Sequence, residues 1–281
     1  MKKITALLLV TAMTAVLTGC AVPAGSAPAG TAPAGDAAGS AAAEEEGSDL
    51  EYIKGKGTLI VGITDFAPMD YEAENGEWIG FDADIARKAA EDLGVEVSFV
   101  EIDWDNKILE LDNKSIDCVW NGMTLTDEVK NSMECTKPYL NNAQVVVVKA
   151  DVAGQYQDAE SAKALSFAVE AGSAGEAAAE ENGFNYTSLQ SQADAVMEVD
   201  AGTSDACIID LLMAGAMIGE GTSYPDLAHT AELTTEEYGI GCRKGSDLAA
   251  YINDQLDKYY KDGTTTAIAT TYGVQDAVIA P

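Results

Sequence analysis

The sequence predicts an α/β fold that is built on mostly parallel strands and divided into two lobes. Short apolar, β-branched runs, of which Thr58–Ile63 is the first, alternate with segments whose apolar residues recur at helical spacing. Such alternation is typical of strands that are joined by helical crossovers. The pattern starts afresh near residue 140, and this indicates a second α/β unit.

The first lobe is predicted to comprise residues 49–146 and 240–281. A helix is expected over 82–93, because apolar residues recur there at steps of four and Gly94 is a suitable C-cap. The patterns that follow predict a strand, a helix and a strand, at 95–102, 105–111 and 116–120.

The second lobe is predicted to comprise residues 147–239. Strands are expected at 143–148, 166–169 and 206–210, with helix-like segments rich in Ala and Glu between them. A strand near 238–244 and an amphipathic helix over 247–260 then return the chain to the first lobe.

The N-terminal segment has the features of a secretory signal. Lys2 and Lys3 precede an apolar run over 4–17 that is too short to span a bilayer, so residues 1–19 are predicted to be a signal peptide. The four residues that end at Cys20 resemble a bacterial lipobox, which implies that the Cys20 thiol carries diacylglycerol; an ordinary signal peptide with a chance cysteine is the alternative. Residues 20–48 consist mainly of small residues and are predicted to be a disordered, lipidated tether at the outer side of the cell membrane or in the periplasm.

Composition excludes several classes of function. The formal charge of -31 argues against nucleic-acid binding, because that affinity depends on clustered Lys and Arg. The chain has a single histidine, His229, and its internal cysteines lack CxxC spacing, so we expect no metal, no cofactor and no catalytic triad. These cysteines are expected to serve as small packing residues: Cys118, Cys135, Cys207 and Cys242.

Five motifs occur in order along the predicted folded region: GEWIGFDADIA (76–86), DCVWNGMTLT (117–126), KPY (137–139), EYGIG (237–241) and KDGT (261–264). Together they resemble the extracellular solute-binding proteins of amino-acid ABC importers, which have a periplasmic-binding-protein-like type II fold. The resemblance implies mixed sheets, a first lobe interrupted by the second, and a two-strand hinge near 146–149 and 239–243. It also implies a monomeric, non-enzymatic protein that closes around its ligand and delivers it to ABC permease subunits.

The resemblance implies roles for aromatic and polar residues of the first lobe. Phe66 and Trp104 match positions whose rings sandwich the ligand, although each could instead be an ordinary core aromatic. Asp65 is the nearest equivalent of an acid that the family carries before the first aromatic, in a loop that is one residue shorter here. The turn that meets the ligand's amino and carboxylate groups is matched by Asn121, Gly122 and Thr124.

Three residues of the second lobe are implied in ligand binding by the same resemblance. Ser173 belongs to a Gly-Ser turn that closes over the ligand carboxylate, and Glu170 occupies a position used for side-chain selection. Asp210 matches the acid that pairs with the ligand ammonium. The alternatives are a loop charge at Glu170 and a structural cap at Asp210.

Val129 departs from the family pattern, which has an arginine at this position. Loss of a bidentate arginine from a closed cleft would cost about 2–5 kcal/mol of carboxylate binding. The missing arginine, together with the acids and aromatic residues of the cleft, predicts that the ligand is a cationic amino acid or an amine that lacks a free α-carboxylate. The alternative is a generic amino acid that is held by backbone N–H groups. A cyclohexadienyl-dehydratase-like enzyme and a ligand-sensing surface lipoprotein are further alternatives on the same fold, and the enzyme would need an anion-binding arginine.

Overall fold

The computed structural model describes residues 47–280. The predicted signal peptide, the lipidation site Cys20 and all of the predicted tether except Gly47 and Ser48 lie outside the described residues. Within 47–280, no helix has the length and apolar character needed to cross a membrane.

The first half of the described chain has the strand and helix order that the sequence predicts, with short elements added. Its strands are β1 (Thr58–Ile63), β2 (Tyr71–Glu72), β3 (Trp78–Ile79), β4 (Glu96–Glu101), β5 (Cys118–Thr124) and β6 (Glu134–Cys135). Its helices are α1 (Asp49–Lys56), α2 (Phe81–Leu93), α3 (Lys107–Asp112) and α4 (Asp127–Ser132), and a 3-10 turn at Trp104–Asn106 leads into α3.

The second half also alternates strands with helices. Its strands are β7 (Leu140–Lys149), β8 (Ser166–Glu170), β9 (Asn185–Leu189), β10 (Ala206–Asp210) and β11 (Leu227–Cys242). Its helices are α5 (Ala159–Ala162), α6 (Ala174–Asn182), α7 (Gln192–Ala201), α8 (Leu211–Met217), α9 (Leu248–Asp262) and α10 (Thr264–Tyr272), with 3-10 turns at Ala153–Gln155 and Gln275–Ala277.

Within residues 47–280, nine strands form one mixed sheet in the order β4-β1-β5-β11-β7-β10-β8-β9, and β6 pairs with β11. The first lobe contains β4, β1, β5 and β6, and the second contains β10, β8 and β9. Strands β7 and β11 run antiparallel through the middle and pair from Leu140↔Tyr238 to Lys149↔Leu227. The two lobes are therefore halves of a sheet that shares these two long strands.

The strand pairing shows where the chain crosses from one lobe to the other. In β7, residues 144–148 pair with β10 of the second lobe, whereas in β11 residues 238–242 pair with β5 of the first lobe. Residues 141–143 of β7 and 235–237 of β11 pair only with one another among the described strands. The crossing thus lies a few residues before each of the segments that the sequence analysis chose, and the lobe boundaries drawn there remain predictions.

The apolar cores explain where a cleft opens. One large cluster covers one face of the sheet in both lobes, and it includes Val145 and Val147 of β7. The opposite face carries two separate clusters, one in each lobe, and alternate residues Val146 and Val148 of β7 belong to that of the second lobe. A gap between the lobes is consequently left on this face.

Two strands are longer than their apolar patterns predict. β5 continues through Asn121 to Thr124, where the sequence indicated a turn, and β11 begins at Leu227 rather than near 238. The polar part of β11 has no apolar pattern. It is a strand nevertheless, because its ladder with β7 supplies the backbone hydrogen bonds that hold it. Tertiary pairing, not local preference, makes this segment a strand.

Gly122 has a conformation and a packing environment that exclude other residues. Its φ is 54°, and a β-carbon there would lie 2.6 Å from Phe66 Cε1 and 3.1 Å from Tyr238 Cε2. The absence of a side chain at Gly122 therefore lets β5 approach Phe66 closely.

We expect Gly122→Ala to lower the free energy of unfolding by about 2–4 kcal/mol, because the left-handed backbone and the clash with Phe66 both penalise alanine. Urea denaturation of the mature domain measures this change. Gly154→Ala is the matched control, since its β-carbon would meet no atom within 4 Å and its change should stay within about 0.5 kcal/mol. Equal stability of the two variants would contradict the argument.

Candidate ligand-binding cleft

A cavity of about 290 Å³ lies between the two lobes on the face that carries separate apolar clusters. Eight of the nine residues that the sequence analysis selected for ligand contact line it: Phe66, Trp104, Asn121, Gly122, Thr124, Glu170, Ser173 and Asp210. Asp65 is exposed and does not line the cavity. The fold thus gathers residues from five separate segments, and their contact with a ligand remains a prediction.

The two predicted aromatic residues lie in the wall of the first lobe. Phe66 is buried at 2% exposure and meets the ring of Tyr238 edge to face, with centroids 6.3 Å apart. Trp104 begins the 3-10 turn before α3 and packs in the apolar cluster of this lobe. Both rings therefore have structural contacts while they border the cavity.

Asn121 and Thr124 use their polar side chains within the protein. The Asn121 carboxamide accepts from Thr64 N–H at 3.0 Å and donates to Asp70 Oδ2 at 2.8 Å. The Thr124 hydroxyl donates to Glu236 Oε1 at 2.9 Å. These bonds hold the end of β5 in place beneath the cavity.

Asp70 and Asp82 form a buried carboxyl pair beneath the same strand. Asp82 accepts hydrogen bonds from the Gly122 N–H at 2.7 Å and from the Tyr139 hydroxyl at 2.7 Å. Burial raises the pKa of Asp82 to about 7, although these donors oppose the shift. Burial and the neighbouring Asp82 also raise the pKa of Asp70, whose Oδ1 has no hydrogen-bond partner among the described residues.

The Gly172–Ser173 turn lies on the other side of the cavity, in the second lobe. Ser173 is the N-cap of α6, and its hydroxyl accepts from the Glu176 N–H at 3.1 Å. The Gly172 N–H donates to Glu176 Oε2 at 2.7 Å. A β-carbon at Gly172 would lie 2.8 Å from Cα of Asp105, so the lobes approach each other closely at this turn.

Asp210 ends β10 within a dense network of hydrogen bonds. Its carboxylate accepts from the side-chain amides of Asn142, Gln144 and Gln192 and from the Tyr238 hydroxyl. Asn142 and Gln144 also donate to Glu236, so two carboxylates share these donors where the lobes cross. Burial, with the negative charge of Glu236, raises the pKa of Asp210 to about 8.

Glu170 at the end of β8 is an acid with far fewer partners. It is 2% exposed, and its Oε1 has no hydrogen-bond partner among the described residues. Burial and the nearby Asp210 raise the pKa of Glu170 to about 8. A buried carboxyl group with an unused oxygen is suited to receive a cationic donor from a ligand.

Lys107 lines the cavity as well, and the sequence analysis missed it. It lies on α3 at 8% exposure, and its ammonium donates to the backbone oxygens of Trp104 at 3.1 Å and Gly172 at 3.0 Å. The spacing of three residues from Trp104 in a helical segment was the signal that could have placed Lys107 on the same side. Burial lowers the pKa of Lys107, and nearby acids, foremost Glu128, oppose this shift.

Val129 borders the cavity where the family pattern has arginine. It is 4% exposed and belongs to the same apolar cluster as Trp104 and Met123, and its N–H donates to the Thr126 hydroxyl that caps α4. Lys107 is the only Lys or Arg among the described residues that line this cavity. The cleft therefore contains a cation, but on α3 rather than on α4.

Comparison with known proteins agrees with this two-lobed architecture. The family model described as bacterial extracellular solute-binding proteins, family 3, matches residues 59–275. The chain belongs to this family. The match covers all the motifs from which the family was recognised in the sequence, and the fold class predicted there is confirmed.

Several relatives of this solute-binding protein are named for amino-acid ligands. The L-cystine-binding protein TcyJ of Escherichia coli is 30% identical over 225 residues, which cover 78% of this chain and 84% of the relative. A solved mutant structure of ArgBP from T. maritima is 32% identical with a TM-score of 0.75, covering 80% of this chain and 98% of that one. A binding protein from Streptococcus pneumoniae with bound histidine is 28% identical with a TM-score of 0.74, covering 83% and 98%.

One more distant relative is an enzyme. Cyclohexadienyl dehydratase of Pseudomonas aeruginosa is 28% identical over 122 residues, which cover 43% of this chain and 46% of the enzyme. These relatives therefore support a solute-binding role for the family, with extracellular or periplasmic members, more broadly than they support catalysis.

We expect the Asp70–Asp82 pair to make stability fall as the pH rises. The folded pKa of about 7 for Asp82 lies above its unfolded value of 3.8, so the contribution is full below about pH 4 and is lost through about pH 7. Asp82→Asn cannot ionise, yet it retains an oxygen for the Gly122 N–H, so the loss of stability between pH 5 and pH 8 should be smaller than in the wild type. Urea denaturation at the two pH values measures it.

Asp254→Asn, at an exposed position of α9, provides the control and should keep the wild-type pH dependence. An unchanged pH dependence in Asp82→Asn would argue that the carboxyl of Asp82 is not the group that titrates.

Proposed function

We propose that this protein captures a small amine-bearing solute of the amino-acid class between its lobes and delivers it to the permease of an ABC importer. The observation that carries the proposal is Glu170, a buried acid with an unused oxygen at the wall of an interlobe cavity. An ammonium group would supply the missing donor and the opposite charge together.

The surroundings of Glu170 favour the same kind of ligand. Phe66 borders the cavity with an aromatic ring, and aromatic faces attract cations. Trp104 borders it as well, but the Lys107 ammonium already lies 5.1 Å from the centroid of its ring. Asp210 also lines the cavity and contributes to the raised pKa of Glu170, although four side-chain donors already engage its carboxyl group. The cavity volume of about 290 Å³ suits a solute of amino-acid size.

The proposal extends to the cellular setting. We infer export by the signal at 1–19, attachment through lipid on Cys20, and a tether over 20–48 that holds a monomeric binding domain near the permease. Closure of the lobes about β7 and β11 would give the permease a surface that differs between the empty and the loaded protein.

A thermal-shift screen of the mature domain tests the ligand class. The panel contains cationic, neutral and acidic amino acids, polyamines and quaternary amines, and a ligand that binds only the folded state raises the melting temperature by mass action. We expect stabilisation by amine-bearing members. Stabilisation by none of them would refute the proposal.

Glu170→Gln should weaken the binding of any amine-bearing hit at least about tenfold, because the charge that pairs with the ammonium is lost. In the wild type, binding should tighten as the pH rises from 6 to 8, since the cation must displace the proton of a carboxyl group whose pKa is about 8. Isothermal titration calorimetry at several pH values measures both effects.

The matched control is Glu181→Gln, an exposed position on α6 that does not line the cavity. It should keep both the affinity and the pH dependence of the wild type. If Glu170→Gln behaves like this control, another acid holds the ammonium.

A dehydratase is the second candidate, and one observation favours it: a carboxyl group with a pKa of about 8 could act as a general acid or base near neutral pH. His229, the only histidine of the chain, is exposed on β11 and does not line the cavity. Incubation with a cyclohexadienyl acid, followed by aromatic absorbance, separates the candidates; we expect no turnover.

A further inference from the structure

We propose that Lys107 binds the carboxylate of an α-amino acid ligand and so replaces the arginine that is missing at Val129. The ligand would then be zwitterionic, with its carboxylate at Lys107 and its ammonium at Glu170. This inference rests on the proposed function and selects among the ligands that the sequence analysis left open, because it excludes an amine that lacks a free α-carboxylate.

The first argument is the incomplete pairing of the Lys107 charge. Its side chain is 8% exposed, and no carboxylate oxygen of the described residues lies within 4.0 Å of its ammonium nitrogen. Its hydrogen-bond partners, the backbone oxygens of Trp104 and Gly172, are uncharged. A buried ammonium without a counter-ion is costly, and an anionic group of a ligand in the cavity would remove that cost.

The second argument is the number of donors. An ammonium group has three N–H donors, and two of them are engaged at 3.1 Å and 3.0 Å. Lys107 also borders the cavity. No third hydrogen bond of this ammonium occurs within residues 47–280, so one donor is left for a ligand oxygen without loss of the bonds that hold the side chain.

The third argument is the separation of the two incompletely paired ionisable groups. Glu170 in the second lobe and Lys107 in the first line one cavity, and each charge shifts the pKa of the other, yet they form no ion pair. A molecule with a positive and a negative end can lie between them and neutralise both. A simple amine would satisfy Glu170 and leave Lys107 unpaired.

The position of Lys107 links recognition to closure. It belongs to α3 of the first lobe, whereas its acceptor Gly172 belongs to the turn before α6 of the second lobe. A carboxylate held by Lys107 would add a bridge at the place where the lobes meet. If Lys107 only joined the lobes through its bond to Gly172, the protein would show no preference for acids over amines.

The test compares each amino acid with the amine that lacks its carboxylate: L-arginine with agmatine, L-histidine with histamine, L-lysine with cadaverine and L-cystine with cystamine. Affinities are measured by calorimetry for the wild type and for Lys107→Met, which keeps an unbranched stem one atom shorter and removes the ammonium, and Lys107→Arg, which keeps the charge. Lys261→Met, at an exposed position at the end of α9, is the control outside the cleft.

We expect the wild type to bind at least one acid about tenfold or more tightly than its amine, and Lys107→Met to reduce this ratio at least about tenfold. Lys107→Arg should retain most of the preference, and Lys261→Met all of it. The ratio of the two affinities is decisive, rather than the affinity for either compound. If Lys107 only joined the lobes, its loss would weaken the binding of acid and amine by the same factor.

Two outcomes would overturn the assignment of Lys107 while leaving the proposed function intact: equal wild-type affinity for acid and amine, or an unchanged ratio in Lys107→Met. If none of the eight compounds binds but a member of the thermal-shift panel does, that amino acid and its decarboxylated amine replace them in the comparison. If no member of either set binds, the proposed function is refuted and the assignment falls with it.

Discussion

The antiparallel ladder between β7 and β11 is the constraint on which the rest of the structure depends. Both strands belong to both lobes, so the ladder fixes which residues face each other across the cleft. It brings the end of β5 in one lobe and the end of β10 in the other to the same crossing. One apolar cluster spans both lobes on one face of the sheet, whereas the opposite face carries a separate cluster in each lobe, and the cavity between the lobes lies on that opposite face.

The acidic side chains in and near this crossing differ in how many hydrogen-bond donors they have. Asp210 and Glu236 share amide donors from Asn142 and Gln144, so the acids nearest the crossing are surrounded by hydrogen bonds. Glu170 lies at the end of β8 in the second lobe, and its Oε1 has no hydrogen-bond partner among the described residues. Saturated groups of this kind hold a site rigid, whereas an unsatisfied one favours the arrival of a ligand that completes it.

The structure changes the interpretation of Val129, which occupies the position where the family pattern has arginine. In sequence, the substitution removes the expected partner of a carboxylate. In the structure, Val129 completes an apolar cluster with Trp104 and Met123, and a lysine from α3 borders the same cavity. A cation delivered from another helix can serve the same chemical purpose, because the position of the charge in the cavity matters more than its position in the chain.

The sequence by itself determined the family, the α/β class and most element positions, because apolar periodicity and local motifs are encoded over short distances. It also selected eight residues that line the cavity. Only the tertiary structure decided that Asp65 lies outside the cavity, that polar residues 227–237 form a strand, and that Lys107 reaches across to Gly172. These features depend on contacts between distant segments, on which side chains already have partners, and on burial, none of which a local pattern records.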